Sequence, residues 1–158
     1  MSKLEIKKYG EPVLRKKAVS ILEVTTYVKG VVFDMLETMY LSSGLGLAAP
    51  QVGISLRLCV IDVNLNIKSP IVMINPEIIS CEDEVLAEEG CLSIPGVYKE
   101  IKRSRNIIVQ YIDLNEKKCK IKVWNLLARV VQHEVDHLDG KLFIDYITDF
   151  DRKRIRMK

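Results

Sequence analysis

The chain has 158 residues, 48% hydrophobic and 28% charged, with two histidines, a composition that excludes disordered, fibrous and membrane-spanning classes and fits one globular domain. Its 24 Lys and Arg against 21 Asp and Glu leave a net charge of +3, too small a surplus to argue for a DNA binder from charge alone. No apolar run reaches the roughly 18 residues that span a bilayer, and the opening MSKLEIKKYG lacks the apolar stretch of a secretory signal, so a cytoplasmic protein without membrane contact is expected. In a reducing compartment Cys59, Cys81, Cys91 and Cys119 are packed thiols or ligands rather than disulfides.

In chain order, residues 25–41 place Val28, Val31, Val32, Met35, Leu36 and Met39 at helical spacing, with Thr25 or Thr26 as N-cap and Gly44 beyond the end. Gly30 weakens that helix by about 1 kcal/mol. The period then changes. Residues 57–63 and 71–74 are short β-branched runs bounded by Gly, Pro, Asn and Ser, and residues 106–114 are a further β-rich run. Residues 118–124 alternate strictly between basic and apolar, which predicts a strand with one wet face, joined to 106–114 by a hairpin over Asn115, Glu116 and Lys117. From Leu126, the positions Val130, His133 and His137 follow at steps of four, three and four and so share one helix face. Asn125 is the expected cap of that helix and Gly140 its end. The tail from about residue 148 to 158 is short and basic, with Arg152, Lys153, Arg154, Arg156 and Lys158. Strands in the middle flanked by helices, without βαβ alternation, predict an α+β fold: mixed or antiparallel sheets around the histidine-bearing helix, one domain across residues 1–158.

Both histidines fall in His133-Glu134-Val135-Asp136-His137, a spacing that random placement of two histidines gives roughly 1% of the time before Glu134 is required beside the first. Residues four apart on a helix project to the same side, so both imidazoles reach one metal ion while Glu134 stands close enough to touch a water there. A catalytic metal site usually has three protein ligands. The 21 residues after His137 contain no His or Glu, and Asp139, Asp145 and Asp149 have no recognised spacing. Upstream, Cys91 lies among turn formers and acids in Glu88-Glu89-Gly90-Cys91-Leu92-Ser93-Ile94-Pro95-Gly96, and its thiolate is a candidate third ligand. Cys59 and Cys119 read as packed thiols. The segment from Gly44 to Gly53, GLGLAAPQVG, allows close backbone approach and offers the Gln51 amide, although on its own a helix end followed by a tight turn accounts for it better. It matches neither glycine-rich phosphate-binding pattern.

Taken together and in order, GLGLAAPQ, EGCLS and QHEVDH resemble the three signature motifs of the peptide deformylases, and Gly10-Glu11-Pro12-Val13-Leu14-Arg15 resembles that family's opening. The resemblance runs from about Lys7 to Tyr146. It implies an enzyme that removes the formyl group from the N-terminal formyl-methionine of nascent bacterial proteins. It also implies Cys91, His133 and His137 as metal ligands, with the fourth position left to water. Glu134 then moves the proton from that water to the leaving amine. The oxyanion is held by the metal, the Gln51 amide and the Leu92 backbone N–H, and Leu45, Gly46 and Gly90 line the extended peptide. Leu126 and Val130, on the face of His133, are candidates for the methionine pocket. The resemblance favours ferrous iron in the cell, while zinc, nickel and cobalt suit the same donors. The expected partners are formyl-methionyl peptides, with the basic tail docking near ribosomal RNA through salt-sensitive contacts, and the protein is expected to be a monomer that binds no DNA. Glu89 is expected to pair with Arg103, and Asp136 to steady the helix or a ligand. Asn125 stands where the family commonly has glycine, and the long C-terminal helix of some relatives is expected to be cut short. The rival readings are a general HExxH metallopeptidase and a non-catalytic relative with a structural metal.

Overall fold

Alternating residues in the middle of the chain build a single antiparallel sheet that presents one face to the histidine-bearing helix. A computed structural model describes residues 3–64 and 66–156. The sheet contains β1 (Gly46–Ala48), β2 (Leu58–Ile61), β3 (Ile71–Cys91), β4 (Ile94–Ile112) and β5 (Lys118–Trp124), side by side in chain order. A lone parallel bridge joins Val19 to Leu56. Helix α1 (Thr26–Leu41) covers β1 and β2, α2 (Asn125–Leu138) covers the sheet's middle, and α3 (Asp149–Lys153) is a short C-terminal turn. Among the described residues no helix is long and apolar enough to cross a membrane.

Helix α1 follows its apolar periodicity. Val28, Val31, Val32, Met35 and Met39 are buried, and the Thr25 side chain accepts from the Val28 N–H as an N-cap does. At its other end Gly44 lies beyond the last turn as expected, and Ser43, at φ 56°, is the left-handed residue. Gly44 itself stands close to the end of the Leu92 side chain, 2.8 Å from Cδ1 for a Cβ built there. The hairpin between β4 and β5 forms as expected, with the Asp113 side chain accepting from the N–H groups of Asn115 and Lys117.

Strands β3 and β4 are far longer than the runs at 71–74 and 106–114. They pair from Ile74↔Ile112 to Cys91↔Ile94 as one ribbon, with register shifts near Glu77, Ser80 and Gly90. The acids between Glu77 and Glu89 disguised β3, since Asp and Glu are depleted in strands. In register with these acids, Glu89 meets Lys99, while Glu77, Glu82 and Glu84 face Gln110, Asn106 and Ser104 and Glu88 faces Glu100, so the backbone ladder and not cross-strand charge carries the pairing.

Helix α2 begins where expected but is not capped by Asn125. Asn125 is itself at φ 56°, Trp124 occupies the cap position, and no side chain caps the helix. A left-handed backbone accounts for glycine being suited to this position, and asparagine is among the residues that tolerate it. The buried side of α2, with Ala128, Val131, Val135 and Leu138, packs on Cys59, Ile61, Met73, Ile107 and Val109.

Gly140 ends the helix at φ 73°, and a Cβ there would lie 2.6 Å from the Arg15 carbonyl oxygen. Gly140→Ala is expected to cost at least about 1–2 kcal/mol from the left-handed backbone alone, lowering Tm by at least about 2–4 °C. An unchanged thermal midpoint would refute that expectation.

The N-terminal segment is tied to the same region by Arg15, whose guanidinium donates to both Asp145 oxygens at 2.7 and 3.0 Å. Burial works to raise Asp145, but Arg15 and the Leu142 N–H outweigh it and hold the carboxyl below its usual range. A folded pKa below the unfolded one contributes stability above the ordinary carboxylate range, and that stability is lost as pH falls through the folded value. The gap in urea midpoint between wild type and Asp145→Asn should therefore be widest near neutrality and close on acidification. A gap that is constant with pH would exclude this linkage.

Candidate metal centre

The centre is built where α2 crosses the tip of the β3–β4 ribbon. His133 and His137, one helical turn apart, are buried on the sheet-facing side of α2, with their Nε2 atoms 3.3 Å apart. Cys91, the last residue of β3, brings its Sγ to 3.4 Å from His137 Nε2. One ligand atom from each of the three residues lies within 4.8 Å of the others. Asp139, Asp145 and Asp149 take no part, and Cys59 is buried in the core beneath α2.

The donor set suits a borderline-soft divalent cation, as one sulfur and two imidazole nitrogens do. The tautomer supports this. The Nδ1 of His133 donates to Glu89 Oε1 at 2.9 Å, which assigns its proton to Nδ1 and turns the Nε2 lone pair toward Cys91 and His137. Glu89 is held in turn by three further bonds. Arg103 donates to it from Nε at 2.8 Å and Nη2 at 3.0 Å, and Arg129 donates from Nη1 at 2.7 Å. Arg103 also reaches Asp136 Oδ2 at 2.6 Å, which accepts from Tyr146 Oη at 2.7 Å. Asp136 thus supports the centre through Arg103, not by contact with a ligand. Burial works to raise Glu89, but His133 and Arg103 outweigh it and bring the carboxyl down to about 2.

Beside this centre is a cavity of about 440 Å³. Gln51, Cys91, Leu92, His133 and Glu134 line it, as do Leu45, Gly46, Gly90, Leu126 and Val130, while His137 lies behind the wall. Gln51 is aimed by the 3-10 turn Ala49–Val52: its Oε1 accepts from the Ala48 N–H at 2.9 Å. That leaves Nε2 facing Ser93 Oγ at 3.2 Å and Cys91 Sγ at 3.5 Å. Glu134 is 3% exposed, and its Oε1 has no hydrogen-bond partner among the described residues. Burial pushes its carboxyl up to about 7, with His133 opposing the rise and Glu89 adding to it. Gly46 makes room for this side chain, since a Cβ there would stand 2.5 Å from Glu134 Oε2 and 2.8 Å from Val130 Cγ1.

Residues 3–153 match the family model for polypeptide deformylase. The chain belongs to that family. It is 60% identical to the peptide deformylase of Endomicrobium trichonymphae over 158 residues, covering all of this chain and 94% of that one. The peptide deformylase of Thermodesulfovibrio yellowstonii is 49% identical over 160 aligned residues, covering all of this chain and 97% of that one. The solved peptide deformylase of Legionella pneumophila superposes with a TM-score of 0.95 at 41% identity, covering 98% of this chain and 92% of that one. The Synechococcus elongatus peptide deformylase, solved in complex with actinonin, gives 0.93 at 39% identity over 98% of this chain and 86% of that one.

Against these deformylases, two residues of the cleft escaped the sequence reading. Arg129 reaches the cavity from one turn before His133 and donates to the carbonyls of Val85 and Ile101 at 2.7 and 2.9 Å, pinning α2 to both strands of the ribbon. Its position four before a ligand was the available signal. Tyr98 stands at the rim, 62% exposed, with its ring where a Cβ on Gly90 would be, 2.6 Å from Cε1. The cavity is therefore less apolar than Leu126 and Val130 suggested, because Glu88, Glu89 and Arg129 line it too.

Proposed function

We infer that this cleft removes the formyl group from N-terminal formyl-methionyl peptides, with Cys91, His133 and His137 holding one divalent ion, ferrous in the cell. The convergence of a thiolate and two imidazoles beside the buried Glu134 carries this reading. Such an ion supplies Lewis acidity, bringing the pKa of water toward neutrality and polarising a carbonyl. Glu134 Oε1 takes the proton of the attacking water and returns it to the amine as the C–N bond breaks. The Gln51 Nε2 and the Leu92 N–H donate to the developing oxyanion, each typically worth about 3 kcal/mol in sites of this kind. Leu45, Gly46 and Gly90 offer backbone to an extended peptide, and β1, at the open edge of the sheet, suits the addition of a strand. Leu126 and Val130 receive the methionine side chain, and Arg129 and Glu88 form the polar part of the same wall. The substrate is made in the cytosol, where the activity is expected.

The test is formate release from formyl-Met-Ala-Ser against peptide-bond cleavage of Met-Ala-Ser, on protein purified without oxygen and with its metal content measured. Release of formate alone is expected. Cleavage of the unformylated peptide at a comparable rate would favour a general metallopeptidase. No turnover at all, with metal bound, would favour a structural ion.

A further inference from the structure

A second cavity, of about 510 Å³, shares a wall with the first. Ile94, Pro95, Gly96 and Tyr98 line both. The rim between them is low, because Pro95 and Gly96 are exposed and a Cβ on Gly96 would meet nothing within 4 Å. Tyr98 adds an exposed ring to the same rim.

The charge of the second cavity differs from that of the first. Lys99, Arg154 and Arg156 line it, and Asp151 is its one acid among the described residues. Asp151 is already engaged by the Thr148 hydroxyl and its own backbone N–H bonds back to Thr148. Among the described residues none of the three cations is in a salt bridge, and the Arg154 guanidinium lies 5.7 Å from the centre of the Phe150 ring. Three cations against the one carboxylate of Asp151 leave a positive surplus around a polar groove, which fits a carboxylate-bearing ligand.

We propose that the second cavity binds the part of the substrate that follows the formyl-methionine, and that it selects acidic side chains there. This rests on the reading of the first cavity as the formyl-methionine site. A nascent chain continues past its first residues and must leave the cleft over a rim. An extended peptide advances about 3.3 Å per residue, so a few residues reach from one cavity to the other across Gly96. None of the three cations lines the first cavity, so they lie away from the reacting amide. They strengthen binding of the ground and transition states alike, which moves KM and leaves kcat unchanged.

The experiment uses the metal-loaded enzyme and a series of formyl-methionyl octapeptides in which a Glu-Glu pair, or a Gln-Gln pair in its place, is stepped along positions three to eight. One register of the Glu pair is expected to lower KM about fivefold relative to Gln at low salt, with kcat unchanged, and to lose that advantage in about 0.5 M salt. The double variant Lys99→Glu/Arg154→Glu should reverse the preference, and Lys99→Gln/Arg154→Gln should abolish it. Formyl-Met-Ala-Ser, too short to reach the second cavity, is the reference substrate for every protein. Equal KM for Glu and Gln peptides in every register overturns the proposal, as does a preference that survives the substitutions. If the substitutions weaken co-sedimentation with ribosomes but leave peptide KM alone, the cations serve RNA and the peptide groove is wrong. Failure of the reference tripeptide itself overturns the deformylase reading, and this proposal with it.

Discussion

Glu134→Gln should lower kcat for formyl-Met-Ala-Ser by about 10²–10⁴-fold, the usual contribution of a positioned general base, without loss of bound metal. The substitution keeps shape and removes only proton capacity, at a carboxyl that is 3% exposed and whose Oε1 has no hydrogen-bond partner among the described residues. The protein has no spare imidazole to take over. Its two histidines are both at the centre, with their Nε2 atoms turned toward each other and Cys91. Formate release at the wild-type rate by metal-loaded Glu134→Gln protein would refute the mechanism. Gly46→Ala is a second route to the same effect, since its methyl group needs the space now held by Glu134 Oε2 and Val130 Cγ1.

The second large effect is on stability and on the metal together. Glu89→Ala leaves the Arg103 guanidinium, the Arg129 guanidinium and His133 Nδ1 without the carboxylate that satisfies them. Arg103 is only 6% exposed, so water cannot replace the lost partner at little cost. Breaking one side of a buried ionic network costs about 3–5 kcal/mol, which lowers Tm by roughly 6–20 °C in a chain of this size. Glu89→Gln, closer in shape, separates the two roles. It should fold, yet hold its metal about 10–100-fold more weakly in chelator competition, because the carboxylate that orients His133 is gone. Equal metal affinity in Glu89→Gln and wild type would reduce Glu89 to a packing residue.

Legibility in the sequence followed physical locality. Helix α2 could be read because two periodic signals coincided, apolar spacing on one side and His133 with His137 on the same face. Strand β5 could be read because lysines alternate with apolar residues from Lys118 to Val123, and its bounds match. The extent of β3 could not, because its acids read against a strand, and the ladder to β4 that overrides them joins residues that no short window of sequence contains. Asn125 was misassigned as a cap because asparagine suits both caps and left-handed backbone, and only φ distinguishes them. At the centre, the helix motif and an unusual cysteine were visible from the residues, and so was the Gln51 amide, whereas its role and that of Leu92 came only through family resemblance. The link from Asp136 through Arg103 to Glu89 joins α2 to both ribbon strands, and of it only the Glu89–Arg103 pair was anticipated.

The position of Cys91 at the tip of the β3–β4 ribbon also bears on the order of assembly. Contacts near a hairpin turn are local in sequence and close quickly, whereas contacts between distant segments wait for the loop between them to be ordered. The thiol stands where contacts are local in sequence, while both imidazoles are on a helix that begins at Asn125. A chain emerging from its own synthesis carries a sulfur donor long before it carries a centre. The centre is completed only when α2 docks, so metal retention reports on the docked state of that helix.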